Sequence, residues 1–186
     1  MLYLGNFYKI ILFVMILLFV YVKFNKRKRI EESVILFGFC IYLVYLLEIV
    51  IFPIMLDFPS PDYTLTINLV PFNTINEMAH YDFSIFLRQI IGNIIILVPF
   101  GFFMPMIFKK FMTILPMITL GVLTSIGIEC IQGIIDVLTQ YDNRTIDIDD
   151  IILNVLGTLI GFLIFRLSKI FINKYLPKIV CYNISS

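Results

Sequence analysis

Polar and apolar residues alternate along this chain in long blocks. Five apolar stretches, residues 2–24, 34–52, 90–108, 111–135 and 151–172, are each about the length that crosses a hydrocarbon core, for which roughly 20 helical residues suffice. Pro53 closes the second stretch. The third is interrupted by Pro99, Gly101 and Pro105, so a kinked or broken helix is expected there. Residues 54–87 form the longest segment between spans. They are rich in Pro, Asp and Asn and contain an amphipathic piece at 75–87, a pattern that suits the membrane interface. The expected architecture is an all-α polytopic transmembrane bundle of about five spanning helices. It divides into a first helix with its basic turn (1–30), a main transmembrane unit (31–175) and a short cytoplasmic tail (176–186).

Composition excludes a water-soluble domain. The 186 residues are 60% hydrophobic and 15% charged, with a mean hydropathy of +0.99, and an aqueous surface for a chain of this size needs far more charge. Trp is absent, so an aromatic belt has to be built from Tyr. Cys40, Cys130 and Cys181 have no spacing that suggests a metal knuckle or a disulfide framework. A net charge of +1 carries no nucleic-acid footprint.

Where the charges sit is more informative. Eleven of the 14 Lys and Arg residues follow the first, third and fifth spans: Lys23 and residues 26–29, then Lys109 and Lys110, then Arg166, Lys169, Lys174 and Lys178. The positive-inside rule makes these segments cytoplasmic, which puts the N-terminus outside and the C-terminus inside. Nine of the 13 acids then fall in the two outer loops. The basic run follows the first apolar stretch rather than preceding it, so that stretch reads as an uncleaved helix and not as a signal peptide. The same run is a topology determinant, with contact to anionic lipid as a consequence.

The polar residues that remain fall on helical faces. At 3.6 residues per turn, Asp147, Asp150, Asn154, Gly157 and Gly161 lie along one stripe, polar at its start and bare further in. Bare positions let a second helix approach closely in lipid, and polar groups above them must face protein or water. A simpler role for Asp147 or Asp149 is to cap the helix, with the other acids favouring its positive end. Ser125, Glu129, Gln132 and Asp136 share a face of the fourth span in the same way. Arg88, Gln89, Gly92 and Asn93 open the third, and Glu48 sits at a comparable depth on the second. Four helices thus bring polar side chains to one outer level, where charge is costly unless it faces an interior, a partner or a cavity. Two arrangements satisfy this. One is a buried ion-pair network, with Arg88 or Arg144 against Glu129 or Asp150, and the other is a hydrated pocket open to the outer leaflet. His80 reads as a solvated loop residue, and Asn68-Leu-Val-Pro-Phe72 as an interfacial turn in which Pro71 extends Val70.

The order and spacing of Asn68-Leu-Val-Pro-Phe72, Arg88 with Gly92-Asn93, Val98-Pro-Phe-Gly101 with Pro105, Ser125 with Glu129 and Gln132, and Arg144, Asp147, Asp150, Asn154 and Gly157 resemble the successive motifs of the VanZ-like family, over roughly residues 33–170. That family is named for a teicoplanin-resistance protein. The resemblance implies a small bacterial multi-pass protein of the cell membrane, associated with reduced susceptibility to lipid-tailed glycopeptides, and leaves its chemistry open.

Three readings follow. In the first, Arg88, Asn93, Glu129, Gln132, Arg144, Asp147, Asp150 and Asn154 line a pocket that binds a lipid headgroup, a lipid-linked cell-wall precursor or the antibiotic, with the arginines contacting phosphate or carboxylate. In the second, Glu129, Asp147 and Asp150 act as acid and base on a phospho- or glycolipid, or bind a divalent cation. Against an enzyme stand the absence of a Cys-His pairing and of a phosphate-cradling Gly-rich loop, so no cofactor and no metal site is assigned. In the third, the bundle is an accessory partner that docks on another membrane protein through Gly157 and Gly161. Membrane lipids are the expected partners throughout, and nucleic acid is not.

Overall fold

The computed structural model describes residues 30–51, 63–81, 83–140 and 145–175. The first expected span, residues 2–24, and the tail lie outside these residues. Four long helices are present: α1 (Ile30–Ile51), α3 (Phe83–Ile107), α4 (Ile114–Thr139) and α5 (Ile148–Tyr175). Each is long and apolar enough to cross a membrane. A nine-residue helix, α2 (Asn73–Tyr81), precedes α3, and a 3-10 turn, Lys109–Met112, joins α3 to α4.

Side-chain contacts fix the directions of the helices. Tyr42 on α1 donates from its hydroxyl to the Ile96 carbonyl of α3 at 2.9 Å, and Phe39 of α1 packs on Phe100 and Phe103 of α3, so these two helices are antiparallel. Asn93 of α3 reaches Asp150 of α5, while Val98 of α3 meets Gly161 of α5, so α3 and α5 run parallel. Ser125 and Glu129 of α4 meet Asn154 and Asp147, at the head of α5, in reverse order, making α4 antiparallel to α5. The end of α1, the start of α3, the end of α4 and the start of α5 therefore gather at one end of the bundle. Lys109, Lys110 and the end of α5 lie at the other. Leu46 and Val50, Leu97, Phe100 and Met104, Met117 and Ile128, and Phe162 and Phe165 make a core to which all four helices contribute. The outward positions are apolar as well: Tyr45, Ile95, Leu123 and Leu163 are exposed, as they are on helices whose surroundings are lipid.

The parallel contact of α3 with α5 depends on missing side chains. A Cβ on Gly157 would lie 1.9 Å from the Ile94 carbonyl oxygen, and one on Gly161 would lie 2.0 Å from that of Val98. Backbone meets backbone here, which only glycine permits. This stripe is therefore filled from within the chain, and docking of a second membrane protein through Gly157 and Gly161 is excluded by the α3 backbone that already covers them.

Several boundaries differ from expectation. Helix α3 starts at Phe83 and not near residue 90, because Phe83, Ile85, Phe86 and Leu87 continue the apolar pattern with no breaker before Pro99. It also runs unbroken through Pro99 and Pro105. A proline removes one amide donor, and the packing of α1 and α5 on both sides of residues 94–104 holds the helix across that gap. The fold is not purely helical either. Strand β1 (Ile67–Asn68) pairs in parallel with β2 (Ile146–Asp147), aligning Ile67 with Ile146 and Asn68 with Asp147. Two-residue strands carry no periodic signature in sequence. This pair forms because both loops end at the same corner of the bundle with amide groups that need partners.

Candidate functional site

The corner where β1 and β2 meet is built by two aspartates that cap helices. Asp147 is the residue before α5, and its Oδ1 accepts the amide N–H of Asp149 at 2.9 Å, which is N-capping of α5 by its own flank. Asp149 is turned away from its own helix. Its Oδ1 accepts the Phe72 N–H and its Oδ2 the Ile75 N–H at 3.2 Å, so it caps α2 from another part of the chain. Helix α2 lacks a capping oxygen of its own at this position, since the residue before it is Phe72, held at φ 64°. The carboxylate of Asp149 is 1% exposed and supplies both missing acceptors.

Around this corner lies a cavity of about 820 Å³. Its walls come from β1 and the start of α2 (Thr66, Ile67, Asn68, Asn73, Thr74, Glu77 and Met78), from α3 (Gln89 and Asn93), from α4 (Gln132) and from the head of α5 (Thr145, Asp147 and Asp150). Asp150 is half-buried in it and is held by two amides. Gln89 Nε2 donates to its two oxygens at 3.0 and 3.3 Å, and Asn93 Nδ2 donates to Oδ1. Opposite, Asn68 Nδ2 donates to Thr74 Oγ1 at 2.8 Å and to Asp147 Oδ1 at 3.2 Å, tying α2, β1 and α5 together.

A polar seam continues behind the cavity into the apolar bundle. Glu129, 3% exposed, accepts the Asp147 N–H on Oε2 at 3.0 Å. One turn deeper Asn154 donates to Ser125 Oγ at 3.0 Å, and Thr158 donates to the Asn154 carbonyl at 3.1 Å. Among the described residues the Asn154 Oδ1 has no hydrogen-bond partner. These contacts clamp α4 to α5 in a medium where an unmet polar group is costly.

The sequence-derived candidates are thus placed unequally. Asn93, Gln132, Asp147 and Asp150 line the cavity, Glu129 and Asn154 are buried behind it, and Arg88 is exposed on α3 away from the lining. Arg144 lies outside the described residues. Sequence reasoning missed the whole wall made by Asn68, Asn73, Thr74 and Glu77, and it missed Gln89 as a partner of Asp150. The Asn68 motif was visible, but its role depends on a pairing across 79 positions. Among the described residues no group of three or more His, Cys, Asp or Glu side chains is disposed to hold a metal ion.

The sequence profile of the VanZ/LLP1 family matches residues 39–171, well over half of the chain and all of the cavity-forming segments. The chain belongs to the VanZ/LLP1 family. No curated protein and no solved structure matches it. The match and the four apolar helices together make this a VanZ-type membrane protein. The matched region begins within α1 and ends within α5, so it includes residues of all four long helices.

Proposed function

We propose that this VanZ-type protein resides in the cell membrane with the cavity on the outer side, and lowers susceptibility to lipid-tailed glycopeptides such as teicoplanin by binding the polar head of a membrane-anchored molecule there. A lipid headgroup, a lipid-linked wall precursor and the antibiotic share the necessary chemistry, since each presents hydrogen-bonding polar groups at the outer face. Sidedness follows from the positive-inside rule, because Lys109, Lys110, Arg166 and Lys169 lie at the end of the bundle away from the cavity. The observation that carries the reading is the cavity itself: 820 Å³, lined by amides, hydroxyls and carboxylates at the mouth of an otherwise apolar bundle, with Asp150 presented by Gln89 and Asn93.

Binding is favoured over catalysis because two of the three candidate acids are committed to the fold. Glu129 holds the Asp147 amide, and Asp147 caps α5. The test is the teicoplanin susceptibility shift conferred on a sensitive bacterial host by the wild-type chain, Asp150→Asn and Gln89→Ala, measured with membrane abundance. Loss of the shift at normal abundance is expected for both variants. An unchanged shift in both would end the reading.

A further inference from the structure

The strand that walls the cavity has a second face. Ile67 and Asn68 form β1, where neighbouring side chains point to opposite sides, and Asn68 turns inward to Thr74 and Asp147. Leu65, Ile67, Leu69, Val70 and Phe72 are 38, 52, 69, 63 and 55% exposed. Such a run of open apolar residues is unfavourable against water. Its depth is set by pairing, because Ile67 and Asn68 align with Ile146 and Asp147, and the apolar span of α5 begins at the next residue, Ile148. The strand therefore lies level with the start of the apolar run of α5. Phe83 and Ile85 at the start of α3 are exposed apolar residues as well, at 68 and 56%. Ile67 also lines the cavity, so the apolar edge and the polar chamber share a rim.

We propose that residues 65–72 lie at the boundary between headgroups and acyl chains and form the lipid-side lip of the cavity. The occupant then enters sideways from the leaflet as an amphiphile, with its polar head in the cavity and its acyl chain across Leu65, Ile67 and Leu69. This route rests on the binding role proposed for the cavity, and the test separates the two. The purified full-length chain, with its three native cysteines replaced by serine, carries one environment-sensitive fluorophore at Leu69→Cys or at the exposed α2 position His80→Cys. It is placed in phosphatidylglycerol–phosphatidylethanolamine vesicles at high lipid excess. A nitroxide high on the acyl chain is expected to quench the probe at 69 at least about twofold more than the probe at 80, with iodide in the water showing the reverse order. Iodide quenching at 69 equal to that at 80 would overturn the lip, and so would a blue-shifted probe that neither reagent reaches, which would mean cover by protein. In cells, Leu69→Asp at normal abundance is expected to lose most of the teicoplanin shift, with Leu69→Asn used where Asp lowers abundance. A shift kept in these variants but lost in Asp150→Asn would overturn sideways entry and leave the cavity reading standing. A shift kept in all of them would remove both.

Discussion

The amide of Phe72 and the carboxylate of Asp149 are joined by a hydrogen bond across 77 positions of sequence, and that bond fastens the wall of the cavity to the helix that carries Asp150. Asp149 reaches Ile75 with its other oxygen, so one buried side chain does for α2 what a local capping residue does for most helices. Removing it leaves two amides without acceptors and α2 without its anchor. Asp149→Ala is expected to cost roughly 2–3 kcal/mol, since hydrogen bonds to charged groups are the stronger kind. Asp149→Asn, which keeps one acceptor oxygen, should lose about half as much. Thermal unfolding of the detergent-solubilised protein checks both, and an Asp149→Ala protein as stable as wild type would show that α2 docks without the cap.

The glycine contact between α3 and α5 yields the second expectation. Gly157→Leu places a branched side chain where the Ile94 carbonyl already stands, and backbone cannot give way as a side chain can. A loss of about 3 kcal/mol or more is expected, at the upper end of overpacking penalties. Leu159→Ala, at a half-buried position, should lose clearly less. Equal losses in a melting experiment would mean that the helices are not packed through this stripe.

Glu129 tests whether the seam behind the cavity is structural. Its Oε2 receives the Asp147 amide, and glutamine retains an oxygen that can do the same. Glu129→Gln should accumulate in membranes at near-normal levels. Glu129→Leu leaves a buried donor unmet, costs roughly 1–3 kcal/mol and lowers abundance. Quantitative immunoblots of membrane fractions decide it, and equal abundance of the two variants would remove Glu129 from the architecture.

Sidedness is open to direct chemistry. In a background without native cysteines, Asn76→Cys on α2 should react with an impermeant thiol reagent added to intact cells, while Lys110→Cys in the 3-10 turn should react only after permeabilisation. Both positions are exposed in the fold, so accessibility reports the side of the membrane and not burial. The opposite pattern would invert the bundle and place the cavity in the cytoplasm.

The sequence by itself determined four long apolar helices, their faces and the family. Apolar runs of bilayer length have one stable form in lipid, the helix, so α1, α3, α4 and α5 were legible within several residues of their ends. The stripe Asp147, Asp150, Asn154, Gly157 and Gly161 was legible for the same reason, since helical spacing is a local property. Its polar end does line or back a cavity, and its bare end does meet a second helix.

Tertiary structure decided which acid does what. Asp147, Asp149 and Asp150 lie within four positions and are indistinguishable by composition, yet Asp147 caps its own helix at the cavity wall, Asp149 caps a helix from another segment and Asp150 is held in the cavity by two amides. That difference comes from helical rotation of about 100° per residue combined with the arrival of β1 beside β2. Asn68 and Asn73 could not be assigned to the site for the same reason. Asn68 meets Asp147 only through a two-strand pairing between distant loops, a contact that leaves no period in the sequence to read, and Asn73, which bonds Glu77 on its own helix, joins the wall only because Asp149 anchors that helix there.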